Sequence, residues 1–345
     1  MASALNEPLL GLLKANSRSF YLTLRVLPGA IRPQIGLAYL LARITDTVAD
    51  TEIVPPAHRL ELLQKLRERI SGNSSAPLDL NGLAQQQALP AEKSLLENVE
   101  TGLAALDAFS AADQKLIRAV LATITSGQEL DLQRFADASA KKILSLRTDT
   151  DLDDYTYRVA GCVGEFWTKI CRAHLFPDTP IDEPQLIADG IRFGKGLQLV
   201  NILRDMPGDL RKGRCYLPDE SLAEIGLSPT DLLVPANENK LRPLYNRWLD
   251  VAKSHLTAGW AYTNRLPLGQ IRVRLACAWP ILIGAETLSL LRSGRILDPD
   301  TRIKVPRPRV KQIMLWSVVS YPFQGTWQKQ LKFDAKAIAS GDNLA

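Results

Sequence analysis

The sequence lacks the signatures of several large classes of protein. Its four cysteines show no CxxC spacing, which fits a reduced, cytoplasmic setting. Its three histidines lie too far apart in the sequence for HExxH or a related set of zinc ligands. No GxGxxG motif follows a strand pattern and no repeat of fixed period occurs, so neither a Rossmann nucleotide domain nor a repeat architecture is supported.

Long apolar runs are absent as well. No signal peptide is recognisable near the N-terminus, and no uninterrupted run reaches about 18 apolar residues, the length needed to cross a bilayer. The run IMLWSVVSYPF at 313–323 is shorter and contains two serines. We therefore expect a cytoplasmic protein for which contact with the surface of a membrane stays open, and we favour a monomer.

The net charge of +5, with a pI near 9.0, decides little by itself. It suits an anionic substrate or a membrane surface as well as it suits nucleic acid. Because no nucleic-acid-binding motif accompanies the charge, we predict no nucleic-acid partner.

What the sequence does contain is helical spacing. Hydrophobic residues make up 46% of the chain and charged residues 23%, values typical of a soluble globular protein. Apolar residues recur at intervals of three and four, which predicts an all-α fold. We expect a single domain over 1–345, with a polar surface loop at about 72–92 and a flexible tail at about 323–345. The predicted helices cover about 3–14, 32–50, 56–71, 92–107, 111–136, 151–175, 183–206, 238–264, 268–293 and 306–318.

Two aspartate pairs are the most informative feature. Asp46 and Asp50 are four residues apart, and so are Asp205 and Asp209. This step places two side chains on one helix face, one turn apart, where like charges repel unless a cation lies between them. Mg²⁺ takes carboxylate oxygens and shares them with substrate phosphates. The two facing pairs therefore predict a clamp for Mg²⁺ and diphosphate.

Further polar residues extend each pair into a stripe. Tyr39 and Arg43 precede the first pair, and Gln198 and Asn201 precede the second, at spacings that keep each set on one helix face. Apolar residues flank both stripes. A solvated surface face is the alternative for either stripe alone, but two such stripes favour a ligand site.

A cluster of hydroxyls and a cation lies near the N-terminus. In the segment NSRSFY, which begins at Asn16, serine and arginine side chains suit diphosphate oxygens. The alternative for Ser17 or Ser19 is a helix cap.

Taken together, these segments resemble the squalene and phytoene synthase family. The matching stretches, in family order, are SRSFYL at 17–22, YLLARITDTVAD at 39–50, YTYRVAGCVGE at 155–165 and GLQLVNILRDMPGDLRKGRCYLP at 196–218. CAWPILIGAETL at 277–288 and RIKVPRPRV at 302–310 look more like the squalene synthase branch. The resemblance implies an isoprenoid synthase fold around a central cavity, and head-to-head condensation of two farnesyl diphosphates.

The resemblance also implies roles for individual residues. Asp46, Asp50, Asp205 and Asp209, with Asn201, would hold Mg²⁺, and Tyr155 would act at the reacting centre. The diphosphate and substrate sites would be lined by Ser17, Arg18, Ser19, Phe20, Tyr39, Arg43, Gln198, Asn201 and Arg204.

Glycines in the third stretch admit two interpretations. Gly161 and Gly164 lie three residues apart on a predicted helix, where each glycine costs roughly 1 kcal/mol against alanine. They provide either close approach of two helices or room for a long prenyl chain. We interpret the glycines at 190, 194 and 196 as helix packing and not as a phosphate loop.

Two departures from the family pattern affect the metal site. Many squalene synthases carry an acid where this chain has Ala49 and Gly208. Pro207 lies between Asp205 and Asp209, and proline tends to kink or end a helix. We therefore expect the regular helix to stop near 206, which would leave Asp209 beyond it.

A reductant, NADPH, is implied for the squalene branch only. Candidate cations for its 2′-phosphate are Lys212, Arg214, Lys304, Arg307 and Arg309, although each of them also suits a solvated surface. Dehydrosqualene or presqualene diphosphate synthesis without hydride transfer is the main alternative. Phytoene synthesis and a non-catalytic lipid-binding or assembly role are further alternatives.

Overall fold

The computed structural model describes residues 7–17, 20–298, 300 and 303–333. Helices dominate this part of the chain. Contacts between residues divide the chain into two compact units: Met1–Ala136 with Glu165–Pro180, and Asp137–Gly164 with Ile181–Ala345. The single domain expected from the sequence stays a prediction.

The first unit is built around a helix that carries the first aspartate pair. This helix, α3, packs against α4, α7 and α8, and its buried side is a row of leucine, isoleucine and valine side chains. The helices before residue 136 are α1 (Glu7–Asn16), α2 (Phe20–Val26), α3 (Arg32–Asp50), α4 (Pro56–Ser71), α5 (Asn81–Ala84), α6 (Pro90–Glu97), α7 (Val99–Leu106) and α8 (Ala111–Arg134).

The second unit is built around the helix that carries the second pair. Two short parallel strands, β1 (Leu144–Ser145) and β2 (Arg214–Cys215), accompany the helices. The longest helix, α11, packs along α13 and α14. The helices after residue 136, of which α10 belongs mostly to the first unit, are α9 (Asp149–Thr156), a π-helical turn (Tyr157–Gly161), α10 (Cys162–Leu175), α11 (Glu183–Arg211), α12 (Asp219–Glu224), two 3₁₀ turns (Pro229–Leu233 and Pro235–Asn237), α13 (Glu238–Arg265), α14 (Ile271–Ser293), α15 (Arg307–Ser320) and α16 (Gln324–Gln328).

Several of these helices begin at side chains that satisfy their first amide groups. Ser110 accepts a hydrogen bond from the amide three residues on, at 3.2 Å, at the start of α8. Asp182 does the same at 3.0 Å at the start of α11. Thr148 and Asp151 form a reciprocal capping box before α9. Each cap of this kind contributes about 1 kcal/mol.

The structure corrects two predictions in the first unit. The helix expected over 92–107 is interrupted at Asn98, whose side-chain amide donates to the Ser94 carbonyl at 2.8 Å. Asparagine competes in this way with the helical backbone. The segment 72–92, which was expected to be a loop, contains the short helix α5. Leu83 within this helix and Leu80 just before it are both buried.

The tail that was expected to be flexible contains the helix α16 where it is described. Trp327 in α16 is fully buried and stacks on Trp260, with ring centroids 5.2 Å apart. Its indole nitrogen donates to Asn264 at 2.8 Å. The segment up to residue 333 is thus attached to α13, while 334–345 lie outside the described residues.

Among the described residues, α14 is the one helix long and apolar enough to cross a membrane. However, 78% of its apolar window is buried inside the protein. Helices α11, α13 and α15 all contact it. A buried core helix passes the same test of length and composition, and the burial favours that interpretation.

Glycines allow the segment 157–164 to lie directly on α11. A Cβ at Gly164 would collide with the carbonyl of Gly190, and a Cβ at Gly194 would collide with the carbonyl of Ala160. Any residue larger than glycine would push these backbones apart. Close helix approach is therefore confirmed for Gly164, and helix packing is confirmed for Gly194 and Gly196 of α11.

Candidate functional site

The first aspartate pair lies at the C-terminal end of α3. Arg43, one turn earlier, directs its Nη1 at 3.2 Å to the Asp46 carboxylate and its Nη2 at 3.6 Å to Glu92. Asp50 is the exposed last residue of the helix. The pair expected from the four-residue spacing therefore forms, with an arginine already beside it.

A glutamine from another helix completes the surroundings of Asp46. The Nε2 of Gln128, on α8, donates to the second Asp46 oxygen at 2.6 Å. The Oε1 of Gln128 and the Nε of Arg43 are buried without a hydrogen-bond partner among the described residues. Neither Gln128 nor Glu92 was predicted, because both reach the site through tertiary packing and not through spacing along α3.

These surroundings raise the pKa of Asp46 to about 6. The largest cause is removal from water, followed by repulsion from Asp50, while Arg43 and Gln128 oppose the change. Many protein atoms surround the carboxyl group, although 43% of the side-chain surface is exposed. A bound cation would relieve the repulsion that raises this pKa.

The remaining predicted site residues of the first unit are Tyr39 and the residues of the segment that begins at Ser17. The Tyr39 hydroxyl is 3.4 Å from the Asn16 carbonyl, to which it donates. Ser17 is buried, and its hydroxyl donates to the Leu13 carbonyl at the end of α1. Phe20 is the first residue of α2. Arg18 and Ser19 lie outside the described residues.

The second aspartate pair lies near the C-terminal end of α11. Arg204 donates to both oxygens of Asp205, from Nε at 2.9 Å and from Nη2 at 2.5 Å. This hydrogen bond, with the charges of Asp205 and Asp209, raises the pKa of Arg204 against the opposing effect of burial. Earlier on the helix, Gln198 is half-buried and Asn201 is exposed.

The expected end of this helix near 206 is wrong. Helix α11 continues through Pro207 to Arg211, so Asp205 and Asp209 share one helix. Proline has no amide hydrogen to donate to Leu203, four residues earlier. The buried hydroxyl of Tyr245, on α13, donates to that Leu203 carbonyl at 2.9 Å instead. A tertiary hydrogen bond thus replaces the one that proline removes.

Tyr155 lies close in structure to the chain that follows α11. Its ring is buried and stacks on Tyr216, with centroids 4.8 Å apart. The parallel pairing of Leu144 with Arg214 brings the two segments together. The π-helical turn begins two residues after Tyr155, and such turns are frequent at functional sites. Tyr216 was not predicted, since only the strand pairing reveals its proximity.

The five predicted cations for a nucleotide phosphate fall into two groups. Lys212 and Arg214 follow α11, whereas the others precede or begin α15. Lys212, Lys304 and Arg307 are exposed. Arg309 is engaged: its Nε contacts both oxygens of the buried Glu286 at 3.0 and 2.9 Å. Arg309 is therefore already part of an ion pair within the fold.

The donor sets fit a magnesium ion that also binds substrate oxygens. Within the described residues, no cluster of three or more histidine, cysteine, aspartate or glutamate side chains could hold a metal alone. Each aspartate pair offers two carboxylates, and Mg²⁺ in phosphate-transfer sites commonly uses one or two, with phosphates and water completing its shell. An ionised carboxylate has about four lone-pair positions, so Asp205 can keep Arg204 and still accept a cation.

Known proteins were compared with this chain. The squalene/phytoene synthase family profile matches residues 13–309. A bifunctional lycopene cyclase/phytoene synthase of Pyrenophora tritici-repentis is 29% identical over 312 residues, covering 88% of this chain and 48% of that protein. A squalene synthase of Schizosaccharomyces pombe is 27% identical over 311 residues, covering 89% and 64%. A presqualene diphosphate synthase of Sinorhizobium fredii is 32% identical over 214 residues, covering 62% of each.

Solved structures agree on the fold. The complex of TcSQS with the ligand BPH1237 superposes with a TM-score of 0.75 at 22% identity, covering 98% of this chain and 94% of that one. A dehydrosqualene synthase in complex with a ligand gives a TM-score of 0.63 at 22% identity, covering 92% and 97%. The fold is thus the all-α isoprenoid synthase fold. The chain spans about half to two thirds of the length of the curated relatives named above.

Proposed function

Because the chain belongs to the squalene/phytoene synthase family, whose members are prenyltransferase-type enzymes acting on prenyl diphosphates, we propose that it is a squalene synthase. In this proposal it joins two farnesyl diphosphates head to head through presqualene diphosphate and reduces the product to squalene with NADPH. The observation that carries the proposal is the pair of long helices, α3 and α11, each presenting two aspartates one turn apart beside an arginine.

The arginines and aspartates have complementary tasks. Arg43 and Arg204 present guanidinium groups to the diphosphate oxygens, where charge develops as the carbon–oxygen bond ionises. Asp46 and Asp50, and on α11 Asp205 and Asp209 with Asn201, would hold Mg²⁺, which supplies further neutralisation of the leaving diphosphate. The raised pKa of Asp46 supports this assignment, since an acid beside a like charge favours a cation.

In this proposal Tyr155 acts on the hydrocarbon part of the reaction. Its buried ring is stacked on Tyr216 and therefore has a fixed orientation. An allylic cation must be kept from water, and aromatic faces stabilise such a cation. We assign Tyr155 to the reacting centre, where its hydroxyl or a diphosphate oxygen takes the proton lost when the cyclopropane forms.

The reduction step has weaker support than the condensation. NADPH would supply hydride to the final cation, and exposed Lys212, Lys304 and Arg307, with Arg214, would hold its phosphates. The likeness of 277–288 and 302–310 to the squalene synthase branch supports this step. The 27% identity of the chain to the squalene synthase of S. pombe supports it as well.

A second candidate is synthesis of presqualene diphosphate or dehydrosqualene without hydride transfer. The 32% identity to the presqualene diphosphate synthase of S. fredii favours it, and so does the use of Arg309 within the fold by Glu286. Both candidates use the same aspartate pairs. Phytoene synthesis from two C20 diphosphates is a further alternative, supported by the likeness to the P. tritici-repentis protein.

Product analysis separates these functions. Purified protein is incubated with Mg²⁺ and either farnesyl or geranylgeranyl diphosphate, with and without NADPH, and the products are identified by mass spectrometry. We expect squalene from farnesyl diphosphate only with NADPH. A C30 product that ignores NADPH would establish the second candidate, and a C40 product would establish phytoene synthesis.

Two substitutions test the aspartates. We expect Asp46→Asn and Asp205→Asn each to reduce turnover by at least about a hundredfold, as for loss of a charge that acts in the transition state. Asp137→Asn is the matched control, because Asp137 is exposed and pairs only at the surface with Lys142. Full activity of either aspartate variant would refute the proposed clamp.

A further inference from the structure

The exposed side of α15 is unusually apolar. Leu315 is 66% exposed and Phe323, just after the helix, is 65% exposed; Val318 and Val319 are about half exposed. We call these four side chains, together with the exposed Trp316, the α15 face. At about 100° per residue, Leu315, Val318 and Val319 fall within roughly 100° of arc. The α15 face is therefore one continuous strip.

The opposite side of α15 is fixed to the protein, so the helix cannot turn its apolar strip inwards. Ile313, Ser317 and Ser320 are buried on that side. The Ser317 hydroxyl accepts a hydrogen bond from the Trp279 indole at 2.9 Å. Glu286 holds the start of the helix through Arg309. Because α15 packs on α14 through its opposite side, the α15 face remains exposed.

The hydroxyl of Tyr321 donates to the Leu268 carbonyl at 2.6 Å and fixes the turn after α15. Leu268 is itself 56% exposed. A contiguous exposed apolar patch usually marks an interaction site, so we infer that the α15 face binds a partner.

Charge identifies the partner. Residues 303–333 contain six lysine or arginine residues and no aspartate or glutamate. Arg309 is used by Glu286, and the other five are exposed and form no ion pair within the described residues. These five are Lys304, Arg307, Lys311, Lys329 and Lys332. At about 100° per residue, Arg307 and Lys311 fall on the same side of α15 as Leu315. A helix that combines this apolar strip with cations on the same side has the composition of one that lies in the surface of an anionic bilayer.

We propose that the α15 face docks on an anionic lipid surface. The side chains of Leu315, Val318, Val319 and Phe323 enter the boundary between headgroups and acyl chains, Trp316 lies at headgroup level, and the neighbouring cations bind lipid phosphates. The helix lies on the membrane and does not cross it, because 14 residues extend only about 21 Å against a hydrocarbon core of about 30 Å.

A second copy of this chain is a poorer partner. Pairing two α15 faces would bring Arg307 and Lys311 of one copy towards those of the other, and like charges across an interface oppose association. An anionic membrane reverses the sign of that interaction. This inference uses no residue of the aspartate helices. It shares Lys304 and Arg307 with the phosphate site proposed above for NADPH, so the apolar residues Leu315, Val318 and Val319, which have no task in that reaction, test it separately.

Vesicle binding tests the proposal with the full chain. Protein is sedimented with vesicles of phosphatidylcholine alone and with vesicles that also contain phosphatidylglycerol, at low and at raised salt. We expect binding to the anionic vesicles, weakened by salt, and little binding to phosphatidylcholine alone. Failure to bind the anionic vesicles would overturn the proposal.

Substitutions localise the surface. The triple variant Leu315→Ser, Val318→Ser, Val319→Ser should lower the partition coefficient by at least about tenfold, since three apolar side chains no longer enter the lipid. Ile53→Ser, Leu233→Ser, Val234→Ser is the matched control, because it removes three exposed apolar side chains elsewhere. The double variant Arg307→Glu, Lys311→Glu should weaken binding to anionic vesicles and leave the binding to pure phosphatidylcholine vesicles unchanged. Circular dichroism melting checks that each variant is folded.

Other outcomes are equally informative. Equal binding by the triple variant and its control would place the lipid contact elsewhere and overturn the proposal. Sedimentation velocity of the wild type, without lipid, checks the competing partner. A dimer that the triple variant abolishes, together with no binding to vesicles, would assign the α15 face to a second copy of the chain.

Discussion

Asp46 shows how single residues outside a motif control the chemistry of the motif. Its carboxylate receives one hydrogen bond from Arg43 on its own helix and one from Gln128 on α8. Gln128 uses only its amide nitrogen for this contact, while its buried oxygen has no partner among the described residues. Gln128 is therefore a positioning residue: it fixes the direction of a carboxylate proposed to bind metal.

Replacement of Gln128 tests this role. We expect Gln128→Leu to raise the Mg²⁺ concentration required for half-maximal activity by about tenfold, the equivalent of one lost hydrogen bond to a charged group. Gln133→Leu serves as the control, because Gln133 is exposed on the same helix. A change in turnover at saturating Mg²⁺, with an unchanged Mg²⁺ requirement, would contradict the positioning role.

Spacing predicts residues on one helix and fails for residues on different helices. The stripes of α3 and α11 follow from a period of 3.6 residues, and the first aspartate pair formed as expected. The second pair shares one helix although the helix was expected to stop before Asp209. Glu92, Gln128 and Tyr216 contact Arg43, Asp46 and Tyr155, which lie 49, 82 and 61 residues away along the chain. No local pattern encodes such contacts.

His255 gives the stability of the protein a dependence on pH. Removal from water, with the positive charges of Arg192 and Lys195, lowers the pKa of His255 to about 4, against the weaker opposite effect of Asp153. The unfolded chain, with a pKa near 6.5, binds the proton first as pH falls. Its stabilising contribution is therefore complete above about pH 6.5 and is lost between about pH 6.5 and 4.

Urea unfolding as a function of pH checks this prediction. We expect the free energy of unfolding to fall with acidification through this range in the wild type, and to fall less steeply in His255→Gln. His58→Gln is the control, since His58 is exposed. Identical pH slopes for the wild type and His255→Gln would show that the neutral imidazole is not favoured in the fold.

At the scale of elements, α11 depends on a bond made from outside it. The helix passes through Pro207 without ending, and the Tyr245 hydroxyl occupies the Leu203 carbonyl that proline leaves free. Burial raises the pKa of Tyr245, so this hydroxyl stays protonated and able to donate. The position of Asp209 one turn after Asp205 thus has a support on α13.

Removal of that hydroxyl should be costly. We expect Tyr245→Phe to destabilise the protein by about 1–3 kcal/mol, because the Leu203 carbonyl is left buried and unpaired. Chemical denaturation measures the change. The double variant Tyr245→Phe, Pro207→Ala restores an amide donor at position 207 and should recover part of the loss. No recovery would mean that the hydroxyl does not substitute for the proline amide.

Element boundaries were predictable where local chemistry alone sets them. The sequence predicted 32–50 and 56–71, and α3 and α4 have those bounds. Prediction failed where a side chain or a distant group competes with the helical pattern. Asn98 interrupts a helix through its own amide, and Tyr245 extends one past a proline. The π-helical turn after Tyr155 also escaped prediction, because apolar spacing does not distinguish it from α-helix.

At the scale of the whole molecule, the four cysteines form no disulfide and are buried. Burial raises the pKa of the Cys215 thiol to about 12, so little reactive thiolate exists at neutral pH. We expect the native protein to react with fewer than one equivalent of a disulfide reagent such as Ellman's reagent in the time that the unfolded protein reacts with four. Rapid reaction of a native thiol would show that part of the core opens readily.

Helix α14 poses a problem for synthesis that the order of the elements resolves. Its apolar window would suit a bilayer, yet in the finished protein most of it is covered. Two of the helices that cover it, α11 and α13, precede it in the chain. Because ribosomes add about 5–20 residues per second, these helices leave the exit tunnel seconds before α14 does. A circular permutant that began at α14 would present the same helix to the membrane-insertion machinery without its cover.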